Sequence, residues 1–137
     1  MIAALSTALT GLHASAARLQ ASASNIANAA STGPLRPAEA GDAPADVRRA
    51  YLPVDVVLAD RRQGGVAATY RPREPAAAPA FDPTSPDADT GGFVAAPNVD
   101  LATEAVGSIE AALAFRANLA VMRSAGRMLD SLLDRMA

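Results

Sequence analysis

The chain has 137 residues, of which 50% are hydrophobic, although only 4% are aromatic and none is Trp. All 12 basic residues are Arg and 14 residues are acidic, so the net charge of -2 gives no electrostatic case for nucleic-acid binding. Cys is absent, which excludes disulfides, thiolate chemistry and Cys-based metal sites. The length suits one ordinary domain, and the apolar content is mostly Ala, Val and Leu, which favours close helix packing over a thick globular core.

An apolar stripe at heptad spacing predicts a long first helix. Its members step by three and four residues and are Ile2, Leu5, Leu9, Leu12, Ala16, Leu19, Ala23 and Ile26. The helix is expected to end near Ala29, before Gly33 and Pro34. Residues 14–16 have the small-x-small form of a signal-peptide cleavage site. No basic residue precedes Arg18, however, and the stripe runs through the site, so we expect a retained helix.

The middle of the chain is predicted to contain loops and a small β part. Residues 35–44 are Pro, Ala, Gly and acidic side chains without periodicity, which is typical of a loop. Strand-like runs at 51–58 and 66–70 flank a turn at 63–65 and predict a β-hairpin. The many prolines within 72–97 predict an extended, looped segment rather than a helix.

A second heptad stripe predicts a long last helix, for which Asp100 is the expected N-cap. Counted back from the end of the chain, this stripe consists of Met136, Leu133, Leu129, Gly126, Met122, Leu119 and Phe115. The earlier apolar residues Val106, Ile109 and Leu113 lie nearly opposite on a helical wheel. We expect one face to pack on the first helix and the other to meet a neighbouring subunit. The alternative is that both faces lie within one globular core.

These patterns together predict a mainly α fold with a small β part. Long N- and C-terminal helices are expected to pair in a coiled-coil-like manner, with a short β-hairpin and Pro/Gly-rich loops between them. The predicted divisions are an N-terminal helix over residues 1–30, a loop and hairpin region over 31–98, and a C-terminal helix over 99–137. No stretch reaches the roughly 18 to 20 unbroken apolar residues of a membrane span, so we expect no direct span.

The sequence offers no constellation of catalytic residues, and we expect no enzyme activity, cofactor or metal. The single His, His13, falls between the main apolar positions of the first helix and is expected on its surface. Asp82, Asp87 and Asp89 resemble the start of a calcium loop, but the required glycine and final Glu are missing from their positions. Gly64 and Gly65 lack the Lys and the spacing of a phosphate loop.

Three segments resemble the flagellar basal-body rod protein family. Residues 21–29 contain Asn-Ile-Ala-Asn and resemble the N-I-A-N signature of its N-terminal helix. Residues 81–100 are similar to the run Y-D-P-x-x-P-D-A-D-x-x-G-Y-V-x-x-P-N-V-N of proximal rod proteins, and residues 114–118 to S-Y-E-A-N, with Arg116 in place of the acidic residue. The residues that carry the resemblance are Asn25, Ile26, Ala27, Asn28, Asp82, Pro83, Pro86, Asp87, Asp89, Gly92, Pro97, Asn98, Val99 and Asn118.

The resemblance implies a structural subunit of the proximal rod. Members of the family stack helically into a hollow shaft that crosses the periplasm and transmits torque, and their terminal helices form its wall. The implied partners are copies of itself, other rod subunits and the flagellar type III export apparatus, which needs no cleaved signal. Asn25 and Asn28 are expected either to hydrogen-bond across helices and fix their register or, for Asn28 in particular, to be solvated at the surface.

Two other functions remain open at this stage. A secreted or periplasmic monomeric helical binding module would need the N-terminal segment to act as a signal peptide. A small hydrolase would need a polar pocket with a general base, and only isolated Asp and Glu residues are available.

Overall fold

The structure is a computed structural model that describes residues 2–35 and 49–135. It is mainly α with a small antiparallel β part, as predicted. Most of the predicted loop over residues 35–44 and the last stripe member, Met136, lie outside the described residues. The elements in chain order are α1 (Ile2–Ala27), β1 (Gly33–Pro34), β2 (Val54–Asp60), β3 (Val66–Pro72), β4 (Ala77–Phe81), β5 (Phe93–Pro97) and α2 (Leu101–Asp134).

Helix α1 ends two residues before the predicted position, and helix α2 begins directly after the predicted N-cap. Helix α1 ends at Ala27, and the chain then tightens as the Ala29 amide donates to the Ile26 carbonyl. Helix α2 begins directly after Asp100, whose carboxylate accepts hydrogen bonds from the amides of Ala102 at 2.8 Å and Thr103 at 3.0 Å. This cap satisfies two of the free N–H groups at the start of α2, so the predicted N-cap is confirmed.

The predicted β-hairpin is confirmed and is longer than expected. Strands β2 and β3 pair antiparallel over seven residues, from Val54 opposite Pro72 to Asp60 opposite Val66. The turn contains Gly64 and Gly65 at φ +85° and +83°, a backbone conformation that favours Gly. Strand β2 begins at Val54 rather than at residue 51.

A second sheet, with strand order β1-β5-β4, was not predicted. The segment over residues 72–97 is extended as expected, but β4 and β5 within it pair antiparallel from Ala77 opposite Pro97 to Phe81 opposite Phe93. Pro79 lies in β4, which is an edge strand and therefore tolerates a residue without an N–H. The prolines in this segment argued against strands. That argument holds for a strand that is paired on both edges, but it does not hold for the edge strand β4.

Helices α1 and α2 run antiparallel and contact each other along a row of small and polar residues. Asn25 meets Glu104 at one end, Arg18 meets Glu110 in the middle, and Gly11 lies against Asn118 towards the other end. Buried Ala and Ser residues continue the same rows at steps of three and four. These are Ala8 and Ser15 on α1, and Ala111 and Ala125 on α2. Small side chains let the two backbones approach closely.

The hairpin covers a different side of α1. The Tyr70 hydroxyl donates to Gln20 Oε1 at 3.1 Å, and the Val66 amide donates to Thr10 Oγ1 at 3.2 Å. Helix α1 therefore lies between α2 and the hairpin.

The long apolar side chains of the predicted stripes lie mostly beside the helix contact. Ile2 is the first residue of α1, Leu12 is buried, and Leu5, Leu119, Met122 and Leu129 are half-buried. The exposed long apolar residues of the stripes are Leu9, Leu19, Ile26, Phe115 and Leu133. The residues on the other face of α2, Val106, Ile109 and Leu113, are exposed as well. The exposed residues are not the ones that join α1 to α2, because the small-residue rows occupy that contact. Their role in packing between subunits stays a prediction.

Helix α2 is long and apolar enough to cross a membrane by length and composition alone. Little of its most apolar part is buried within the described chain. This property is weak evidence of a span because helices of soluble proteins share it. The expected absence of a membrane span stays a prediction.

Candidate functional site

Asn25 lies at the centre of a polar cluster between the helices and the hairpin, and it is only 1% exposed. Its Nδ2 donates to the Val54 carbonyl at 3.0 Å and to Glu104 Oε1 at 2.9 Å. Its Oδ1 accepts from the Val54 amide at 3.0 Å and from the Tyr51 hydroxyl at 3.1 Å. All of the hydrogen-bonding groups of the Asn25 amide are thus used, which fixes α1 against both β2 and α2.

Arg73, which directly follows β3, joins the same cluster from the other side. Its Nη2 donates to Glu104 Oε1 and to Asp55 Oδ1, each at 2.7 Å, and its Nε donates to Asp55 Oδ1 at 3.1 Å. Its Nη1 donates to the Asn98 carbonyl at 3.0 Å. The rigid fork of the guanidinium therefore joins the hairpin, the segment before α2 and the first turn of α2.

The charges in the cluster stabilise one another. The hydrogen bond to Asp55 raises the pKa of Arg73, desolvation opposes that effect, and the hydrogen bond to Glu104 raises the pKa further. Glu104 is 5% exposed, and a carboxylate so buried needs a charged partner. We call this cluster of Asn25, Tyr51, Asp55, Arg73, Asn98 and Glu104 the polar junction.

Two of the sequence motifs meet at the polar junction. Asn25 belongs to the Asn-Ile-Ala-Asn motif, and Asn98 to the longer run before α2. Asn98 accepts from Arg73 through its carbonyl and donates through Nδ2 to the Pro75 carbonyl at 2.9 Å. The pair of Arg73 and Glu104 thus connects motifs that are far apart in the sequence.

The other residues of the first and third motifs have local roles. Ile26 is exposed, Ala27 ends α1, and Asn28 donates to the Ser24 carbonyl of its own helix at 2.9 Å. Of the two asparagines, Asn25 is therefore the one that hydrogen-bonds to another element. Asn118 donates to the Ala114 carbonyl and lies so close to Gly11 that a Cβ there would be 2.6 Å from Asn118 Oδ1.

The carboxylates of the second motif organise a loop. Asp82 Oδ1 accepts from the Thr84 amide and hydroxyl, and Asp89 Oδ1 accepts from the amides of Gly91 and Phe93. Gly92 has φ +79°, and the Phe81 and Phe93 rings pack edge to face at 5.4 Å. The remaining members occupy mixed positions, with Pro97 buried, Asp87 and Val99 half-buried, and Pro83 and Pro86 exposed. These interactions give the motif a structural role in shaping the loop.

A polar cavity of about 190 Å³ lies beside the polar junction, and Arg18, Ser22, Asp55, Glu104 and Gly107 are among its lining residues. Both of its carboxylates are bound to Arg73, so neither is available as a general base. Within the described residues, no group of three or more His, Asp or Glu side chains could hold a metal ion. The exposed position of His13 on α1 agrees with its predicted surface location.

Sequence reasoning missed four members of the polar junction: Tyr51, Asp55, Arg73 and Glu104. An acidic residue in the first turn of a helix is already favoured by the helix dipole, so the position of Glu104 alone does not reveal its buried role. A usable signal was present, because Glu104 begins the row that continues with Gly107, Ala111, Ala114 and Asn118 at steps of three and four. A charged residue in such a row of small residues indicates burial with a partner.

The fold and the polar junction define a mainly α protein whose two long helices and hairpin are joined by buried polar side chains. Comparison with known proteins identifies its family. Residues 90–135 match the family model described as the C-terminal part of the flagellar basal body rod FlgEFG proteins. The flagellar basal-body rod protein FlgC of Salmonella typhimurium is 30% identical over 121 residues, which cover 88% of this chain and 86% of the relative. FlgC of Yersinia enterocolitica is 37% identical over 119 residues, which cover 84% and 82%.

The chain belongs to the flagellar basal-body rod protein family. It is therefore a structural protein of the basal body and not an enzyme. The resemblance stated from the sequence motifs is confirmed.

Proposed function

We propose that the chain is a subunit of the proximal rod. It assembles helically through its terminal helices into the hollow shaft that transmits torque and through which exported subunits pass. The observation that carries this proposal is an exposed apolar face on α2. Val106, Ile109 and Leu113 lie on this face and are 56%, 61% and 57% exposed. Large apolar side chains grouped on one surface favour a protein partner over water.

The contact between α1 and α2 supports the same proposal. Because small residues join the helices, the larger Leu, Ile and Phe side chains remain available to neighbouring subunits. The helices pair in a coiled-coil-like manner, and the polar junction sets their register and their angle to the hairpin. Apolar side chains then supply adhesion between subunits, while polar side chains supply order within each subunit.

The partners in this proposal are copies of the chain, other rod subunits and the flagellar type III export apparatus. Export occurs without a cleaved signal peptide, and the assembled protein lies in the periplasmic part of the basal body. Helices that lack their partners before assembly are poorly stabilised, which would help the chain to pass an export channel unfolded.

Electron microscopy of hook-basal bodies tests this proposal. An in-frame deletion of the gene is expected to remove rods and filaments, and complementation with the wild-type gene is expected to restore them. Normal rods in the deletion strain would contradict the proposal.

A further inference from the structure

The end of α2 carries a glycine that no contact within the described chain explains. Gly11 accommodates Asn118 and Gly107 lies beside Ser22, but a Cβ at Gly126 would meet nothing within 4 Å. Gly is, after Pro, the residue least favourable to a helix. A helical Gly in open space therefore suggests that another backbone approaches there in a complex.

Part of α2 also extends beyond its partner helix. Counting along the helices from the contact of Gly11 with Asn118, Ile2 lies level with about residue 127 of α2 at equal rise per residue. Residues 128–134 thus project past the start of α1. Met128, Leu132 and Leu133 in this segment are exposed.

Four exposed charges follow one another along this end of α2. Arg123 and Arg127 come first, and Asp130 and Asp134 follow. With Gly126 they fall within an arc of about 100° on a helical wheel, and Leu133 borders that arc. We call Arg123, Gly126, Arg127, Asp130, Leu133 and Asp134 the tail face.

The charges of the tail face are arranged unfavourably within a single chain. Like charges stand four residues apart at Arg123 and Arg127, and again at Asp130 and Asp134, so each pair is repulsive. The two aspartates also lie near the negative end of the helix dipole. Among residues 2–35 and 49–135, none of the four side chains forms a hydrogen bond or an ion pair.

We propose that the tail face binds the tail face of a second copy of this chain in antiparallel orientation, about a two-fold axis level with residues 128–129 and within one helical turn of Gly126. About this axis Arg127 lies level with Asp130 of the second copy, and Arg123 lies level with its Asp134, so opposite charges meet. A parallel copy in register would bring like charges together. The second copy thus relieves both repulsive pairs and places arginines beside the aspartates at each helix end.

This pairing is isologous, since each copy uses the same surface, and it therefore closes at two copies. It cannot extend into a shaft, so it is a contact of the free subunit and is distinct from the rod contacts proposed above. Its test uses purified protein and does not depend on whether the chain forms a rod.

Sedimentation equilibrium of the purified full chain tests the proposal. The wild type is expected to form dimers at about 20 mM salt, and their association constant is expected to fall about tenfold or more at about 1 M salt. The variant R123D/R127D has an all-acidic tail face and D130R/D134R an all-basic one, so each alone is expected to be monomeric. An equimolar mixture of the two is expected to form heterodimers.

Gly126→Leu keeps all four charges but fills the space beside the axis that the second backbone would approach, and it is expected to be monomeric. Circular dichroism checks that every variant keeps its helices, which is expected because the four charged side chains are exposed and a Cβ at Gly126 would meet nothing within 4 Å. A monomeric wild type, a mixture without heterodimers, or a Gly126→Leu variant that dimerises like the wild type would each overturn the proposal.

Discussion

Asn25 on α1 and Glu104 on α2 are 79 residues apart in the chain and share a buried hydrogen bond of 2.9 Å. The Asn25 amide reaches both the hairpin and Glu104, while Glu104 also accepts from Arg73. The relative positions of the three elements therefore depend on one connected set of polar groups.

Glu104→Ala should destabilise the fold strongly. The change leaves the Asn25 amide without one acceptor and Arg73 without one of its two carboxylates, so the free energy of unfolding should fall by about 2 to 4 kcal/mol. Urea titration followed by circular dichroism measures this change. Glu110→Ala is the matched control because Glu110 forms an exposed ion pair with Arg18, and it should cost less than about 1 kcal/mol. Equal effects of the two changes would contradict this account of the polar junction.

Asn25→Ala should be far more harmful than Asn28→Ala, although both residues belong to the same motif. Loss of Asn25 unpairs the amide and carbonyl of Val54 in a buried site, at a cost of about 2 to 4 kcal/mol. Asn28 is half-buried and donates within its own helix, so its loss should cost less than about 1 kcal/mol. Thermal unfolding of the two variants provides the comparison. A smaller shift in Tm for Asn25→Ala would refute it.

Arg73→Lys should lower the free energy of unfolding at neutral pH, and it should lower it further at high pH. Lys lacks the planar fork that serves Asp55, Asn98 and Glu104 together, so we expect a cost of about 1 to 2 kcal/mol at pH 7. Beside these carboxylates the pKa of the Lys would lie above its usual value of about 10.4. Its stabilising effect would then be present below that value and lost as pH rises through the raised pKa.

The pKa of Arg73 is raised from an already very high value, chiefly by the hydrogen bond to Asp55. Arg73 should therefore stay charged, and continue to stabilise the wild type, up to about pH 11. The difference in unfolding free energy between wild type and Arg73→Lys should therefore widen above about pH 10. Urea titrations at a series of pH values measure the difference. A constant gap from pH 7 to pH 11 would show that the substituted Lys does not gain from the carboxylates.

Gly11 and Asn118 should be energetically coupled. Gly11→Ala places a Cβ 2.6 Å from Asn118 Oδ1, so the helix-propensity gain of about 0.5 to 1 kcal/mol should be cancelled by displacement of Asn118. In an Asn118→Ala background the same change should stabilise the protein by that amount. A double-mutant cycle should thus give a coupling of about 1 kcal/mol. Additive effects within about 0.3 kcal/mol would mean that the close approach has no energetic consequence.

The sequence predicted both long helices, the N-cap at Asp100 and the hairpin, because heptad steps, caps and turn glycines are local signals. It did not predict the face by which the helices meet. A stripe of Leu and Ile suits a contact with a partner chain as well as one within the chain. The row through Gly11 and Ser15 is less hydrophobic, so hydrophobic periodicity does not mark it as the contact face. The polar junction could not be predicted, because Arg73 and Glu104 are 31 residues apart in sequence and local patterns do not report contacts between such distant residues.

In the proposed rod, the exposed apolar face of α2 joins this subunit to its neighbours. Ile109→Glu tests it most directly, because Ile109 is 61% exposed and the change should leave the isolated fold intact. Ala67→Glu adds the same charge at an exposed position of β3 and is the matched control. The measurement is the amount of each variant in purified hook-basal bodies from a deletion strain that expresses it. Ile109→Glu is expected to be absent or strongly depleted, while Ala67→Glu is expected to be present. Incorporation of Ile109→Glu at the wild-type level would show that this face does not join the subunit to the rod.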